Sequence, residues 1–295
     1  YTVKNDRDLL KYSCLYHLKK GCSRIYIFND GSTDGTIDTI KDLPNITIIN
    51  NVKPFINDNS PKWIKDLMHR WDDSFDVRKR INTYNAAKLA EIENIQWIGS
   101  IDSDEVISTK ISTGKDILDF LKKVDNKYNQ VLLRNLEVIP QNDKIKNPFL
   151  ECSYFFKRFV ITEQINRVTR AVFYKLTKNE EWQAWFDYYF YKLRFGGALN
   201  NLLIDPKNQS KIPSGYYLGY NNFKSLIRTA DVDNFIFDIH KWTKGKNSPK
   251  NYVTGNILHY DLYSPQAFIN KFKQRPKNML IKRFYLRYKL ALIAL

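Results

Sequence analysis

Apolar and polar positions along the chain change rhythm several times, and each change marks an element. Residues 6–21, DRDLLKYSCLYHLKKG, set Leu9, Leu10, Cys14 and Leu18 on one helical face, with Gly21 as the stop. RIYIFND, residues 24–30, is a β-branched and aromatic strand, and GSTDGT, residues 31–36, a glycine-rich turn. A short helix, TIDTIKDL, and a second strand, NITIIN at residues 45–50, follow. Strand, turn, helix, strand in succession predicts an α/β fold with a mostly parallel central sheet flanked by helices. Residues 51–75 are irregular, VRKRINTYNAAKLAEIE at 77–93 recovers the helical period, and NIQWIGSID runs as a strand into a cluster of acids. QVLLRNLEVI, residues 130–139, is a further strand, and from about residue 150 aromatic-rich segments replace the alternation.

The acid cluster is the first candidate site. In WIGSIDSDEVIS, residues 97–108, Asp102, Asp104 and Glu105 sit between Ile98, Ile101, Val106 and Ile107, where a core strand leaves the sheet. Gathering negative charge there is costly unless something positive offsets it. Asp102 and Asp104, two apart, share a face on a regular strand, and two carboxylates with phosphate oxygens make the oxygen-rich site that Mg²⁺ or Mn²⁺ prefers. The alternative is a solvated DSDE loop. In NDGSTDGT, residues 29–36, Gly31 and Gly35 permit a tight path, Ser32 and Thr33 are placed to cap the next helix, and Asp30 ends a strand beside it. An aspartate there accepts from a nucleobase N–H or holds a ribose hydroxyl, although a plain turn uses the same residues.

Charge narrows the partners. Lys and Arg number 47 against 31 Asp and Glu, a formal charge of +16 that favours anionic partners without choosing among them. Cys14, Cys22 and Cys152 show no metal-ligand spacing and read as buried thiols. The chain has no run of 18 apolar residues and no signal-peptide pattern. It opens on Tyr1-Thr2-Val3 without methionine, so both ends read as edges of a longer chain. That leaves its location open between the cytoplasm, a membrane surface and, with an anchor outside these residues, the Golgi or ER lumen.

VKNDRDLLKYSCLYHLKKGCSRIYIFNDGSTDGT together with WIGSIDSDEVI resembles the glycosyltransferase family 2-like group with a GT-A fold, over roughly residues 1–140. The resemblance implies a nucleotide-diphosphate sugar donor, most often a UDP sugar, a cation, most often Mn²⁺ or Mg²⁺, and inversion at the anomeric carbon. Asp30 matches the base-contacting acid, while Asp102 and Asp104 match the metal motif, Asp102 also facing the nucleotide. Arg78 or Arg80 then approaches the nucleotide, and Asn5–Asp6 stands where the family has N-E. On this reading residues 1–150 are the nucleotide-sugar-binding half, 151–270 the acceptor-side half, and 271–295 a basic amphipathic helix.

A looser match returns at YNNFKSLIRTADVDNFIFDIHKW and TGNILHYDLYSPQAFINKFKQRP. If residues 224–228 are helical, Lys224 and Arg228 share a face positioned to meet phosphate. His259 corresponds to the late histidine that completes a GT-A metal shell, or it is a core hydrogen-bonding residue. His17, His69 and His240 read as structural. In NEEWQAWFDYYFYKLRFGG, Asp187, within the aromatic run, and then Glu181 are the candidate bases for an acceptor hydroxyl, or are surface acids on an amphipathic helix. Ser264 is the expected cap of PQAFINKFK, with Pro265 at the first helical position. In the basic tail, Leu280, Phe284, Tyr288 and Leu292 recur at helical spacing, which fits an anionic membrane surface or packing on the domain equally.

The expected reaction is metal-dependent glycosyl transfer to a hydroxyl of a glycan, lipid or protein. Two rival readings are a basic protein binding nucleic acid or another polyanion, which lacks a nucleic-acid motif here, and a metal-dependent phosphoryl-transfer enzyme, which calls for more convergent carboxylates.

Overall fold

A computed structural model describes residues 1–50, 53–54, 59–109, 116–138, 145–156, 168, 172, 175–176, 223–261 and 263–264. The chain forms two units: Tyr1–Asn135 with Asn222–His259, and Leu136–Asn221 with Tyr260–Leu295.

In the first unit, β1 (Thr2–Val3), β2 (Ile25–Asn29) and β3 (Ile46–Asn50) form a parallel sheet in that order. Parallel neighbours need a crossover, and α1 (Arg7–Lys19) supplies the one between β1 and β2. Leu10 and Cys14 of α1 pack with Val3, Ile25, Ile27 and Ile40. Ser13 and His17, also buried, complete the same stripe and leave polar atoms to be satisfied. The chain leaves α1 through Gly21, at φ 95°. The helix expected after the glycine turn is only a 3-10 turn at Ile37–Thr39. Thr36, Ile37, Thr39 and Ile40 are all β-branched and Pro44 lies just beyond, so a longer helix is disfavoured.

α2 (Lys62–Met68) and α3 (Phe75–Ile92) follow. Ser74 caps α3 by accepting from the Val77 N–H at 3.3 Å. Val77, Ile81, Tyr84 and Ala87 of α3 join Ile64, Trp71, Ile227 and Phe237 in one core cluster.

The second sheet of this unit runs β4 (Trp97–Gly99), β8 (Lys224–Arg228), β6 (Gln130–Val138), β11 (Asn251–His259), β5 (Glu105–Ser108). α4 (Asp116–Lys122) lies between β5 and β6 in the chain, and a separate hairpin joins β9 (Phe235–Asp238) to β10 (Lys241–Lys244). The α/β class is as expected. Parallel pairing, however, belongs to the three-stranded sheet, while β4–β8, β6–β8 and β5–β11 are antiparallel. The mostly parallel central sheet expected from the strand, turn, helix, strand order of residues 24–50 is therefore confined to β1–β3. Residue alternation carries no strand direction, and that order does not extend to the later strands. Residues 224–228, considered as a helix, are a strand: Leu226 faces one core cluster and Ile227 another, the two-sided burial of an interior strand. Gly99 lets β4 lie close to β8, since a Cβ there would collide with the Leu226 side chain.

β4 and β5 stand at opposite ends of this strand order, yet only residues 100–104 join them. Four inter-strand steps of a flat sheet span about 19 Å, as far as those residues reach when fully extended, at about 3.4 Å each. Because they also contain a turn, closed by Glu105 N–H donating to the Asp102 carbonyl at 3.0 Å, the sheet must curl. The acid motif is therefore the bridge across its curled ends.

In the second unit, the end of β6 pairs antiparallel with β7 (Phe155–Phe156). Asn147 caps α5 (Pro148–Glu151) by accepting from Phe149 N–H at 3.1 Å. Tyr260 meets Phe149 and Phe155 edge-on, at 4.7 and 5.4 Å between ring centroids. Glu181, Asp187, the helix expected after Ser264 and the basic helix over 271–295 lie outside the described residues. Among the described residues, no helix is long and apolar enough to cross a membrane.

Candidate active site

α3 holds the two sequence motifs in register with each other. Its consecutive residues Arg78 and Lys79 project roughly 100° apart around the helix, and each takes an acid from a different strand end. Arg78 grips Asp30, just past β2, with Nε donating to Oδ1 at 2.6 Å and Nη2 to Oδ2 at 2.8 Å. A third guanidinium N–H donates to the Trp71 carbonyl at 3.2 Å. This two-pronged geometry is the stronger kind of ion pair, and it fixes the Asp30 carboxylate in one plane.

Around Asp30 the glycine turn is tied down by side chains. Ser32 N–H donates to Asn29 Oδ1 at 2.9 Å, Asn5 N–H to Ser32 Oγ at 3.1 Å, and Thr33 N–H to Asn5 Oδ1 at 2.9 Å. Thr36 Oγ1 accepts from Asp6 N–H at 2.8 Å. Ser32 therefore serves the approach to α1 and not, as anticipated, the start of a following helix. Gly31 and Gly35, at φ 74° and 84°, occupy the left-handed region that β-carbons disfavour.

Lys79 donates to one oxygen of Asp102, and Lys224, from β8, to the other at 2.7 Å. Lys224 also lies 2.9 Å from Glu105, whose Oε2 accepts from the Asp102 N–H at 2.9 Å. Both lysines are almost wholly buried, whereas a third of the Asp102 side chain reaches solvent. Burial alone would raise the Asp102 carboxyl, but Lys224 and then Lys79 outweigh it and hold it far below the usual carboxylate range. Glu105 goes the other way: burial raises it, and Lys224 only partly resists. Burial opposes the Lys224 ammonium too, yet Asp102 and Glu105 raise it above the ordinary lysine value. Much of the positive charge expected of a metal beside Asp102 is thus supplied by the chain itself.

Asp104 turns to a different partner. Its Oδ2 lies 3.6 Å from Nε2 of His259, the last residue of β11, which stands opposite Glu105 in the β5–β11 register. Both residues are buried. The motif therefore splits, with Asp102 facing two lysines and Asp104 facing an imidazole.

On the far side of β5 the buried polar stripe of α1 has its use. Ser13 donates to the Glu105 carbonyl at 3.2 Å, Tyr16 to the Ile107 carbonyl at 3.0 Å, and His17 Nε2 accepts from Ile107 N–H at 3.2 Å. His17 Nδ1 lies 2.8 Å from the Ser13 carbonyl, which fixes it as the protonated nitrogen of a neutral ring. Burial lowers the His17 pKa to about 4, so the ring stays neutral and accepting. His17 is structural, as its position predicts.

The structure brings together Asp30 with Arg78, Asp102 with Lys224, and Asp104 with His259. It does not bring Arg228 to them. The Arg228 guanidinium stacks 4.4 Å over the Trp97 ring and donates to the carbonyls of Tyr128 and Val124, at 3.0 and 3.3 Å. On a strand, four residues separate it from Lys224 by about 13 Å, so it packs apart from the Lys224 cluster. Sequence reasoning missed Lys79, whose only signal was its place next to Arg78 in the helix after the irregular stretch. It also gave Glu105 no role.

The glycine turn and the acid motif thus lie at strand ends of an α/β fold, with Asp30 met by Arg78, Asp102 by Lys79 and Lys224, and Asp104 by His259. The chain belongs to glycosyltransferase family 92, whose model matches residues 10–288. The motifs had pointed to a family 2-like group, and the two share the glycosyltransferase class. The chain is also similar to two Arabidopsis thaliana proteins, Glycosyltransferase-like At2g41451, at 21% identity, and Glycosyltransferase-like At3g57200, at 22%. Each match covers 83% of this chain but only 49% and 43% of the respective relative, so the chain spans less than half the length of either.

Proposed function

We propose that the protein transfers a sugar from a nucleotide-diphosphate donor, a UDP sugar, to a hydroxyl of a glycan, lipid or protein acceptor, in a metal-assisted GT-A-type site. The observation that carries this reading is the division of the acid motif, with a lysine-clasped Asp102 next to an Asp104–His259 pair. Adjacent ligands of an octahedral ion with bonds near 2.1 Å stand about 3 Å apart, so a carboxylate and an imidazole 3.6 Å apart need only a small adjustment to share one. Carboxylate with imidazole suits Mn²⁺ and tolerates Mg²⁺. When bound, the cation would supply Lewis-acid charge to the diphosphate.

The chain's own residues do the rest. Asp30, held in plane by Arg78, positions the nucleoside, and Lys79 and Lys224 add positive charge where the diphosphate departs. Asp187, or failing it Glu181, takes the acceptor proton as the hydroxyl oxygen bonds to the anomeric carbon and the bond to the diphosphate breaks, with inversion. The basic residues of 271–295 are proposed to meet an anionic membrane surface.

Thermal shifts with UDP, GDP and a polyanion, with and without Mn²⁺, test the reading. One nucleotide should stabilise the protein in a Mn²⁺-dependent way, and Asp104→Asn or His259→Gln should abolish the metal-dependent part. Stabilisation by the polyanion alone would overturn the proposal in favour of a binding protein.

A further inference from the structure

In the first unit, the end of α4 and the turn into β6, residues 122–129, meet the turn from β10 into β11, residues 244–251. The N–H groups of Asn129 and Gln130 both donate to the Lys250 carbonyl, at 3.0 and 3.2 Å, and Lys250 N–H donates back to Asn129 Oδ1 at 3.1 Å. The buried Gln130 amide fastens the same junction, donating to the Trp242 carbonyl at 3.1 Å and accepting from Trp242 N–H at 2.7 Å. The Tyr128 and Tyr252 rings stack across it, with centroids 5.1 Å apart. The two turns therefore form one fixed platform.

Its charge has one sign. These two segments hold six lysines, Lys122, Lys123, Lys127, Lys244, Lys246 and Lys250, all exposed, against one acid, Asp125. Asp125 pairs with Lys127 at 3.3 Å, and the other five ammonium groups have no ion-pair partner among the described residues. Tyr252 and Val253, 39% and 42% exposed, stand beside them. Lysines that only keep a surface soluble come interspersed with acids, whereas a one-signed field beside exposed apolar side chains fits an anionic partner with an apolar layer beneath its charge.

Two features choose among anionic partners. The cations in both segments are all lysine, and flexible point charges suit a fluid array of phosphates, while arginine is the residue that grips one phosphate in a fixed place. Each ring of the tyrosine stack already covers one face of the other, which leaves less ring surface for nucleic-acid bases, and a half-exposed tyrosine suits the boundary between headgroups and acyl chains. We infer that this platform docks on an anionic phospholipid surface, with the lysines toward the headgroups and Tyr252 and Val253 at the edge of the acyl layer. The platform sits at the start of β11, and His259 ends that strand eight residue steps away, about 27 Å. Docking there leaves the acid motif uncovered. The inference stands apart from the donor reading and from the basic residues 271–295.

The test is co-sedimentation of the full chain with vesicles of phosphatidylcholine, alone or mixed with phosphatidylserine. Each lysine beside an anionic surface contributes about fivefold, so the triple variant Lys123→Ser, Lys246→Ser, Lys250→Ser should bind the mixed vesicles about a hundredfold more weakly. An equally charged control at exposed positions elsewhere, Lys11→Ser, Lys41→Ser, Lys62→Ser, should bind as the wild type does. Tyr252→Ser should weaken binding severalfold, and UDP affinity should stay unchanged in every variant. Equal losses in the two triple variants would reduce the effect to net charge and overturn the inference. Unchanged vesicle binding in the first triple variant would also overturn it, in favour of residues 271–295, or of a nucleic-acid site if binding of a single-stranded oligonucleotide is lost instead. Wild-type protein that ignores the mixed vesicles would overturn both membrane readings and leave the donor reading standing.

Discussion

Lys224→Met removes one buried ammonium and keeps most of its volume. In the wild type its Nζ lies 2.7 Å from Asp102 and 2.9 Å from Glu105. At an effective dielectric of about 20, each pair attracts by roughly 6 kcal/mol, which the desolvation of three partly or wholly buried ions largely cancels. Deleting one partner leaves that desolvation uncompensated, so the variant should lose about 3–5 kcal/mol of stability near neutral pH. The loss has a sign with pH. Burial already raises Glu105, and without Lys224 it rises further above its unfolded value. A carboxyl raised in this way stabilises the fold at low pH, and its contribution disappears as pH rises from the unfolded toward the folded pKa. The deficit of Lys224→Met should therefore be smaller at pH 5 than at pH 8. Urea denaturation at the two values reads it directly. A deficit under about 1 kcal/mol, or one equal at both pH values, would refute the view that Lys224 neutralises the acid cluster.

The other predictions follow from single contacts. With its pKa lowered from 6.5 to about 4, His17 should cost the fold up to about 3 kcal/mol as pH falls through that window; His17→Gln should flatten the acid limb of a stability-versus-pH curve. Arg228→Ala should lower stability by about 1–3 kcal/mol through its lost carbonyl bonds and Trp97 stacking, with UDP affinity unchanged within twofold; a large affinity loss would restore Arg228 to the site. Gly99→Ala should destabilise by about 1–3 kcal/mol as β4 is pushed off Leu226, seen as a lower urea midpoint with unchanged slope.

Local signals made part of this molecule readable from its residues. β2, β3, α1 and α3 follow from periodicity, and Gly31 and Gly35 do adopt the backbone only glycine takes easily. Asp102 and Asp104 were found where a strand leaves the sheet. What stayed hidden was partnership across long separations. Lys224 lies 122 residues from Asp102, and nothing in KSLIR distinguishes a buried ammonium from a solvated one. Five residues are also too few to separate a helical from an extended period, and so Arg228 was grouped with Lys224. Lys79 escaped because a lysine in a polar-looking helix reads as surface until the strand end beneath it is known.

β5 ends the strand order of its sheet, and the outward N–H and carbonyl of Ile107, with the carbonyl of Glu105, are already taken by side chains of α1. An incoming extended peptide, or a second copy of the chain, finds no open ladder along that margin to continue. Assembly by strand addition is closed off beside the acid motif for as long as the His17 ring remains uncharged, and that protection would lapse only as pH falls toward 4.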